Sequence, residues 1–372
     1  MIVFADNAST TKIDDRVWDY MCSLKEQYGN PSSNHSLGKQ AREIIDNARE
    51  IIANKINASP EEIYFVSSGT EANNLAILGF INANMRRGQH IITTQIEHAA
   101  VIKPMEYLQE NGYDVSFLPV NKQGRLNLDL LQNDIYSDTF LISIMLVNNE
   151  TGVIQDIAKI GNIAKKNGIV LHSDCVAAMP HIDINVKELG LDIMSISGHK
   201  IFAPKGIGIL YINKNINIKP IIFGGGQEFG LRSGTENVLG IAGLGKAVEI
   251  LTHNDNAYKL TEALKSFMLS EIPDVHINSP NDGIPILNIS FEGVEGNVLA
   301  QMLSDKGIYV STGSACSSNK HSPSHVLKAI GLTNKQALSS VRFSFGKYNT
   351  YEEILYIQET LINLISKIRN VT

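Results

Sequence analysis

Five short polar clusters in this chain sit just beyond apolar runs, and each holds side chains that can do chemistry. The fullest is Ser195-Ile196-Ser197-Gly198-His199-Lys200, which follows Leu191-Asp192-Ile193-Met194. A lysine at the end of an interior strand is costly to desolvate, and desolvation lowers its pKa and makes the amine a Schiff-base nucleophile. A strand that surfaces at Ser197 and leaves Lys200 solvated accounts for the same residues equally well. His172-Ser173-Asp174 puts a carboxylate at the end of a buried run, where it needs a cationic or hydrogen-bonding partner. Ser67-Ser68-Gly69-Thr70-Glu71 precedes a helix expected from Ala72, and its backbone N–H groups suit a phosphate. Taken alone, an ordinary N-cap by Ser68 or Thr70 is the better account of that turn. Gln95-Ile96-Glu97-His98 offers an acid–base or stacking imidazole, or simply a partnered histidine. Asn148-Asn149-Glu150-Thr151-Gly152 forms a turn whose amides can hydrogen-bond a ligand.

These clusters need strands to position them. Apolar runs of strand length occur at Glu62–Val66, His90–Thr93, Asp114–Leu118, Phe140–Val147, Gly168–His172, Leu191–Ser195 and Gly206–Tyr211. Helical patterns lie between many of them; in Ser36–Asn57, Ala41, Ile44, Ile45, Ala48, Ile51, Ile52 and Ile56 keep to one helix face. Alternating strands and helices predict an α/β three-layer sandwich with a mostly parallel central sheet. Ligands of such sheets bind past the C-terminal ends of the strands, which is where the clusters fall. Helices are then expected over Glu236–His253 and Tyr258–Glu271. Strands at Asp274–Asn278, Pro285–Phe291 and Ser340–Phe345 follow, with a helix from Glu295 and an amphipathic one over Thr350–Arg369. This mixture predicts a smaller C-terminal α+β domain beginning near residue 255, with no long linker before it.

Composition narrows the function classes. The 372 residues are 43% hydrophobic and 19% charged, so the chain can bury a large core and is not disordered. A net charge of −6 argues against a nucleic-acid stripe or a polybasic membrane anchor. The start MIVFADNAST has neither a basic segment nor a long apolar one, so no signal peptide is expected, and no apolar run is long enough to span a bilayer. Three scattered cysteines, Cys22, Cys175 and Cys316, make neither a disulfide framework nor a four-thiolate cluster site. A cytoplasmic location is expected. Gly240-Ile-Ala-Gly-Leu-Gly-Lys246-Ala247 looks like a phosphate-binding loop, but Ala247 stands where Ser or Thr is required and the stretch reads as helix. No GxGxxG follows a strand. His321 and His325 have helical spacing, but Pro323 intervenes and no third ligand is near, so no metal site is expected.

In combination and in this order, the motifs resemble the fold-type I enzymes that use pyridoxal 5′-phosphate, and more narrowly the cysteine desulfurases of the NifS/IscS type. The resemblance runs nearly the whole length. It includes Asp6-Asn7-Ala8-Ser9-Thr10-Thr11, Tyr28-Gly29-Asn30-Pro31-Ser32-Ser33 with His35 and Gly38, Val147–Gly152, and Phe223-Gly224-Gly225-Gly226-Gln227-Glu228. Arg232-Ser233-Gly234-Thr235, Ser311-Thr312-Gly313-Ser314-Ala315-Cys316 and Ser340-Val341-Arg342-Phe343-Ser344 complete it. The resemblance implies that Lys200 bonds the cofactor covalently, that Asp174 pairs with the pyridinium nitrogen, and that His98 stacks on the ring and moves protons. It implies a phosphate cradle of Gly69, Thr70, Ser197, Gly198 and His199, with Thr235 contributed across a homodimer. Asn149 and Arg342 match groups around the substrate, Arg342 being suited to a bidentate grip on its carboxylate. A large domain of residues 14–255 and a small one of residues 1–13 and 256–372 are expected, the latter carrying a loop over 311–322.

Cys316 is the specific marker: in the resembled enzymes a thiolate on a small polar loop takes sulfur from L-cysteine as a persulfide, leaves L-alanine, and passes the sulfur to an acceptor protein for iron–sulfur clusters, thio-cofactors or tRNA. A buried small hydrophobe is the alternative for a free cysteine, but no apolar neighbours in sequence support it. One residue departs from the pattern. Ala177 stands where family members usually carry a glutamine that hydrogen-bonds the ring hydroxyl, a loss of ~0.5–1.5 kcal/mol if water does not replace it. Cys175 beside Asp174 is also uncommon. A selenocysteine lyase, or a sulfur-transfer scaffold that has lost its chemistry, are the competing readings.

Overall fold

A computed structural model describes residues 1–253, 255–312 and 322–370. Its strands are β1 (Val3–Phe4), β2 (Ile63–Val66), β3 (His90–Thr94), β4 (Asp114–Leu118), β5 (Thr139–Ser143) and β6 (Val170–Asp174). They continue with β7 (Ile193–Ser197), β8 (Gly208–Ile212), β9 (Val275–Ile277), β10 (Ile286–Phe291), β11 (Ile308–Tyr309) and β12 (Ser340–Ser344). Seven of them form one sheet in the order β2-β8-β7-β6-β5-β3-β4. The strands from β4 to β7 are parallel, whereas β8 runs antiparallel to both β7 and β2.

Burial on both faces explains why these strands read as largely apolar runs, the polar His172, Ser143 and Ser195 being buried and hydrogen-bonded to one another. Side chains alternate between faces along a strand. Ile92, Ile142, Leu171, Met194 and Ile209 enter one core, shared with helices 36–56, 157–166 and 238–249. Their neighbours Ile91, Leu141, Val170, Ile193 and Leu210 enter another, shared with helix 99–110 and residues 72–81. The expected three-layer sandwich is therefore present. Its glycine-rich helix, Val238–Glu249, accounts for the phosphate-loop look-alike in terms of packing. A side chain at Gly245 would come within 2.7 Å of Ala48 Cβ, and one at Gly243 within 2.6 Å of Met21 Sδ. Those glycines allow the helix to lie close against Ser36–Ile56 and Asp15–Ser23.

A separate core gathers Leu287, Ile289, Phe291, Val341 and Phe343 from the antiparallel sheet β12-β10-β9 with helices 255–271, 296–305 and 351–369. Val3 and Ala5 belong to it, because β1 pairs in parallel with β11. Beyond β1 the chain leaves this core: Asn7 N donates to Ser344 O at 3.1 Å, then Thr11 N donates to His199 O at 2.9 Å. Residues 6–11 therefore run from the small sheet to the end of β7.

One buried ion pair fastens an edge of the large sheet. Arg49 donates to Glu228 through Nη2 (2.8 Å) and Nη1 (3.0 Å), and Phe65 N donates to the same carboxylate at 2.8 Å. Both side chains are almost fully buried, and the guanidinium lies over Phe65 and Phe229. The pair holds a turn in which Glu228 (φ 48°) and Phe229 (φ 56°) are left-handed, an arrangement unfavourable for residues with a Cβ. Arg49→Ala leaves a buried, unpaired carboxylate. It is expected to destabilise the fold by about 3–5 kcal/mol in chemical denaturation, with Arg49→Met plus Glu228→Leu recovering most of the loss.

Candidate active site

The ends of β6 and β7 lie side by side, Asp174 pairing with Ser195. Asp174 is buried and accepts from Asn73 Nδ2 at 2.6 Å and from Val176 N at 2.9 Å. Beneath it His172 bridges Ser143 Oγ (2.8 Å) and Ser195 Oγ (3.1 Å), and burial drives that imidazole down to about 3, so it is neutral. From Ser197 the chain enters a single helical turn, Gly198–Lys200. Lys200 Nζ donates to the carbonyls of Ala8 and Ser9, the latter at 2.7 Å. The lysine is thus held at the site by the N-terminal segment rather than released to solvent.

The turn after β2 becomes a helix at Gly69, three residues earlier than expected, and Ser68 Oγ caps it by accepting from Glu71 N at 3.1 Å. Glu71 folds back to accept from Ser67 N (2.8 Å) and from Arg232 Nε (2.8 Å). A side chain at Gly69 would meet Val176 Cγ2 at 2.8 Å and Ser197 Cβ at 3.3 Å, so only glycine lets this turn lie against the end of β7. The N-cap offered by the sequence is present at Ser68, and Gly69 and Thr70 face a cavity shared with Ser197 and His199.

His98 caps the helix Ala99–Glu110 through Nδ1, which accepts from Ala100 N at 3.1 Å. Burial lowers its pKa; Asp174 opposes that shift, while Lys200 and His325 add to it. Glu97 is fully buried, accepting from Thr94 Oγ1 (2.7 Å) and Met145 N (3.1 Å), and burial pushes its carboxyl up to about 8. It is therefore protonated at neutral pH and puts no second negative charge near Asp174. His199 shares a hydrogen bond with Thr10 Oγ1 at 3.1 Å; burial, then Lys200 and Lys205, bring it down to about 4.

The expected strand over Phe140–Val147 is shorter as a strand but longer as a pairing. After Ser143, Ile144 N and Leu146 N donate to His172 O and Asp174 O, both at 3.1 Å, before the chain turns at Asn148. That extension delivers Asn149 and Glu150 to the site. Opposite, Arg342 on β12 donates to Asp6 Oδ1, Ser9 Oγ and Asn149 O, each at 2.7 Å. Its buried Nε has no partner among the described residues, and neither has Asn73 Oδ1.

One cavity of about 270 Å³ collects these groups. Of the residues expected from sequence, Gly69, Thr70, His98, Asn149 and Asp174 line it. Ser197, His199, Lys200 and Arg342 line it as well, with Gly198 buried between Ser197 and His199. Thr235 is exposed and does not line it. Cys316 and His321 lie outside the described residues. Known proteins give this arrangement its family. The model of the aminotransferase class-V family matches residues 3–357. The chain belongs to the class-V aminotransferase family.

Within that family it is 44% identical over 379 residues to cysteine desulfurase IscS of Dictyoglomus turgidum, spanning 100% of this chain and 96% of that protein. Identity to the IscS cysteine desulfurase of Methanosarcina thermophila is also 44%, over 100% of this chain and 93% of the relative. A solved NifS-like protein superposes with a TM-score of 0.93 at 39% identity, covering 98% of this chain and 100% of that one. Another, a structure of SspA in complex with cysteine, gives a TM-score of 0.85 at 36% identity over 94% and 100% of the two chains. The resemblance read from the motifs and these relatives agree.

Several residues of this class-V aminotransferase site were not singled out from sequence. Asn73 sits one helical turn beyond the Ser68–Thr70 cluster, a spacing that could have shown it. Asp6 and Ser9 were visible only as part of a polar N-terminal run. Ala177 faces the cavity and also a second chamber of about 30 Å³ behind it, which Lys200 and His181 share. That space is large enough for a water molecule.

Proposed function

We propose that this protein is a pyridoxal-phosphate-dependent cysteine desulfurase, converting L-cysteine to L-alanine and taking the sulfur as a persulfide on Cys316. The observation that carries the reading is Lys200, held by the carbonyls of Ala8 and Ser9 beside Asp174, in one cavity with Arg342. The residues fit the cofactor: a glycine-dependent helix start whose Gly69 and Thr70 end faces the cavity suits its phosphate, Asp174 a pyridinium nitrogen, and Lys200 an aldehyde. When bound, pyridoxal 5′-phosphate supplies an electrophilic carbon for the substrate amine and an electron sink for the substrate's bonding electrons.

The chain's own groups do the rest. Asp6 and Ser9 hold Arg342 so that its remaining N–H groups receive the substrate carboxylate. Asp174, fixed by Asn73, would hold a proton on the cofactor's pyridine nitrogen. Lys200 and His98, both basic groups facing the cavity, accept and return the protons at the substrate's carbons. The Cys316 thiolate attacks the substrate sulfur; an S–S bond forms as the C–S bond breaks, and a proton completes the methyl group of alanine. L-cysteine plus enzyme thiol thus balances L-alanine plus enzyme persulfide. Thr235, exposed here, is read as a contribution to the site of a second copy in a homodimer. The final recipient is a sulfur-acceptor protein, in a cytoplasmic setting. Residues 14–255 form the cofactor-binding domain of this reading, and residues 1–13 with 256–372 the smaller one.

The test compares wild type with Cys316→Ala, given L-cysteine and a thiol reductant. Wild type is expected to release sulfide and alanine in equal amounts, and the variant to lose at least about 100-fold of the sulfide. Unchanged sulfide release from the variant would falsify the persulfide route. Selenide release from added L-selenocysteine, without sulfide release from L-cysteine, would favour the lyase reading. A protein that never gains visible absorption with added cofactor would favour the scaffold.

A further inference from the structure

Among the groups in the cavity wall that the reaction above does not use is Glu150. Its side chain faces the cavity, yet its polar partner is remote in sequence: Ser324 Oγ donates to Glu150 Oε2 at 2.5 Å. Ser324 is 5% exposed, and the same hydroxyl accepts from Leu327 N at 3.2 Å, capping the helix His325–Ala329. One hydroxyl thus joins a helix N-terminus to the turn that follows the β5 extension. The next residue adds a second bond, His325 Nε2 lying 2.9 Å from the carbonyl oxygen of Glu97, beside His98. Burial raises the Glu150 carboxyl above its ordinary value, while Ser324, His325 and Arg342 pull it back.

The position of these bonds gives them meaning. Ser324 is the third described residue after the segment that contains Cys316. Before that segment, Ser311 pairs with Arg342 through both backbone bonds (2.7 and 3.2 Å), and its hydroxyl donates to Asp6 Oδ2 at 3.1 Å. One flank is therefore fixed through the residue that receives the substrate carboxylate, and the other through Glu150. We propose that Glu150 and Ser324 are positioning residues for sulfur transfer, their bond clamping the C-terminal flank of the cysteine-bearing segment to the wall of the substrate cavity. This rests on the desulfurase reading, since it assigns the clamp to the step in which Cys316 acts.

The test uses full-length, cofactor-loaded protein as wild type, Ser324→Ala, Glu150→Ala and Glu150→Gln. Three quantities are measured: the visible absorption change on adding L-cysteine, the rate of persulfide formation on Cys316 by mass spectrometry, and hydrogen exchange of amides 325–329. Ser324→Ala and Glu150→Ala are expected to keep the absorption response within about threefold of the wild-type cysteine concentration. Persulfide formation should slow about 10- to 100-fold, the effect of a misplaced reacting group, and exchange at 325–329 should rise at least about tenfold. Glu150→Gln, whose amide oxygen still accepts the Ser324 hydroxyl, should restore both. Wild-type persulfide rates in Ser324→Ala, or unchanged exchange, overturn the clamp. So does equal loss in Glu150→Gln and Glu150→Ala. A wild type that forms no persulfide sinks the desulfurase reading and with it the role in sulfur transfer, while exchange still dependent on Ser324 shows that the bond itself holds the flank.

Discussion

Lys200→Ala is expected to lower cysteine turnover by about 10⁴-fold, because in the proposed reaction one residue serves as both the covalent attachment point and a proton carrier. Borohydride treatment of the loaded wild type should leave a reduced pyridoxyl adduct on residue 200, and the variant should yield none. The variant should still take up the cofactor reversibly, since the turn at Gly69 proposed for its phosphate and Asp174 are untouched, and small primary amines should recover part of the activity. Lys200→Arg should not, because a guanidinium stays protonated and is no nucleophile. The fold should survive. The lost bonds are to the Ala8 and Ser9 carbonyls, near the surface of a cavity that water can enter, so the stability change should be about 1–2 kcal/mol. Wild-type turnover by Lys200→Ala, or an adduct on another residue, would end the account.

The sequence left Lys200 evenly balanced between a catalytic group and a solvated strand end, and the reason lies elsewhere in the chain. What holds the amine is the backbone of residues 8 and 9, which no local pattern links to residue 200. The strands were legible because burial on both faces makes them mostly apolar, and the polar clusters were legible because they follow those runs. Boundaries were less so: Phe140–Val147 is apolar but for Ser143, yet only Thr139–Ser143 pairs as β5 with β3, and the rest continues along β6 alone. Contacts across the chain were invisible. Asp6 with Arg342, Glu71 with Arg232 and Glu150 with Ser324 each join residues more than 150 positions apart. Such pairs carry no periodicity, so the N-terminal run Asp6–Thr11 entered the reading only through family resemblance. The structure gives it a physical task, to position Arg342 and Lys200 together.

His98→Ala is expected to cost about 10²–10⁴-fold in turnover, the usual range for a general acid–base group, with a pH dependence that separates it from a packing defect. Burial is the main cause of its lowered pKa, with Lys200 and His325 adding to it and Asp174 opposing. The neutral ring, able to accept a proton, therefore persists at a pH below the ordinary imidazole value of about 6.5. In a rate profile the acid limb due to His98 should fall below that value, and it should vanish in His98→Ala. Replacing Asp174 by Asn removes the charge that favours the protonated ring, so the limb should move further down. The stability linkage has the same direction. The unfolded chain binds a proton on His98 at a pH where the folded chain does not, so this group's contribution is complete above the unfolded pKa and declines as pH falls toward the folded one. His98→Asn tests the cap separately: its side-chain oxygen can accept from Ala100 N as Nδ1 does, preserving the helix N-terminus at 99 while removing the titrating ring. If His98→Asn keeps both wild-type turnover and the acid limb, the imidazole is only a cap, and proton transfer at the substrate falls to Lys200 alone.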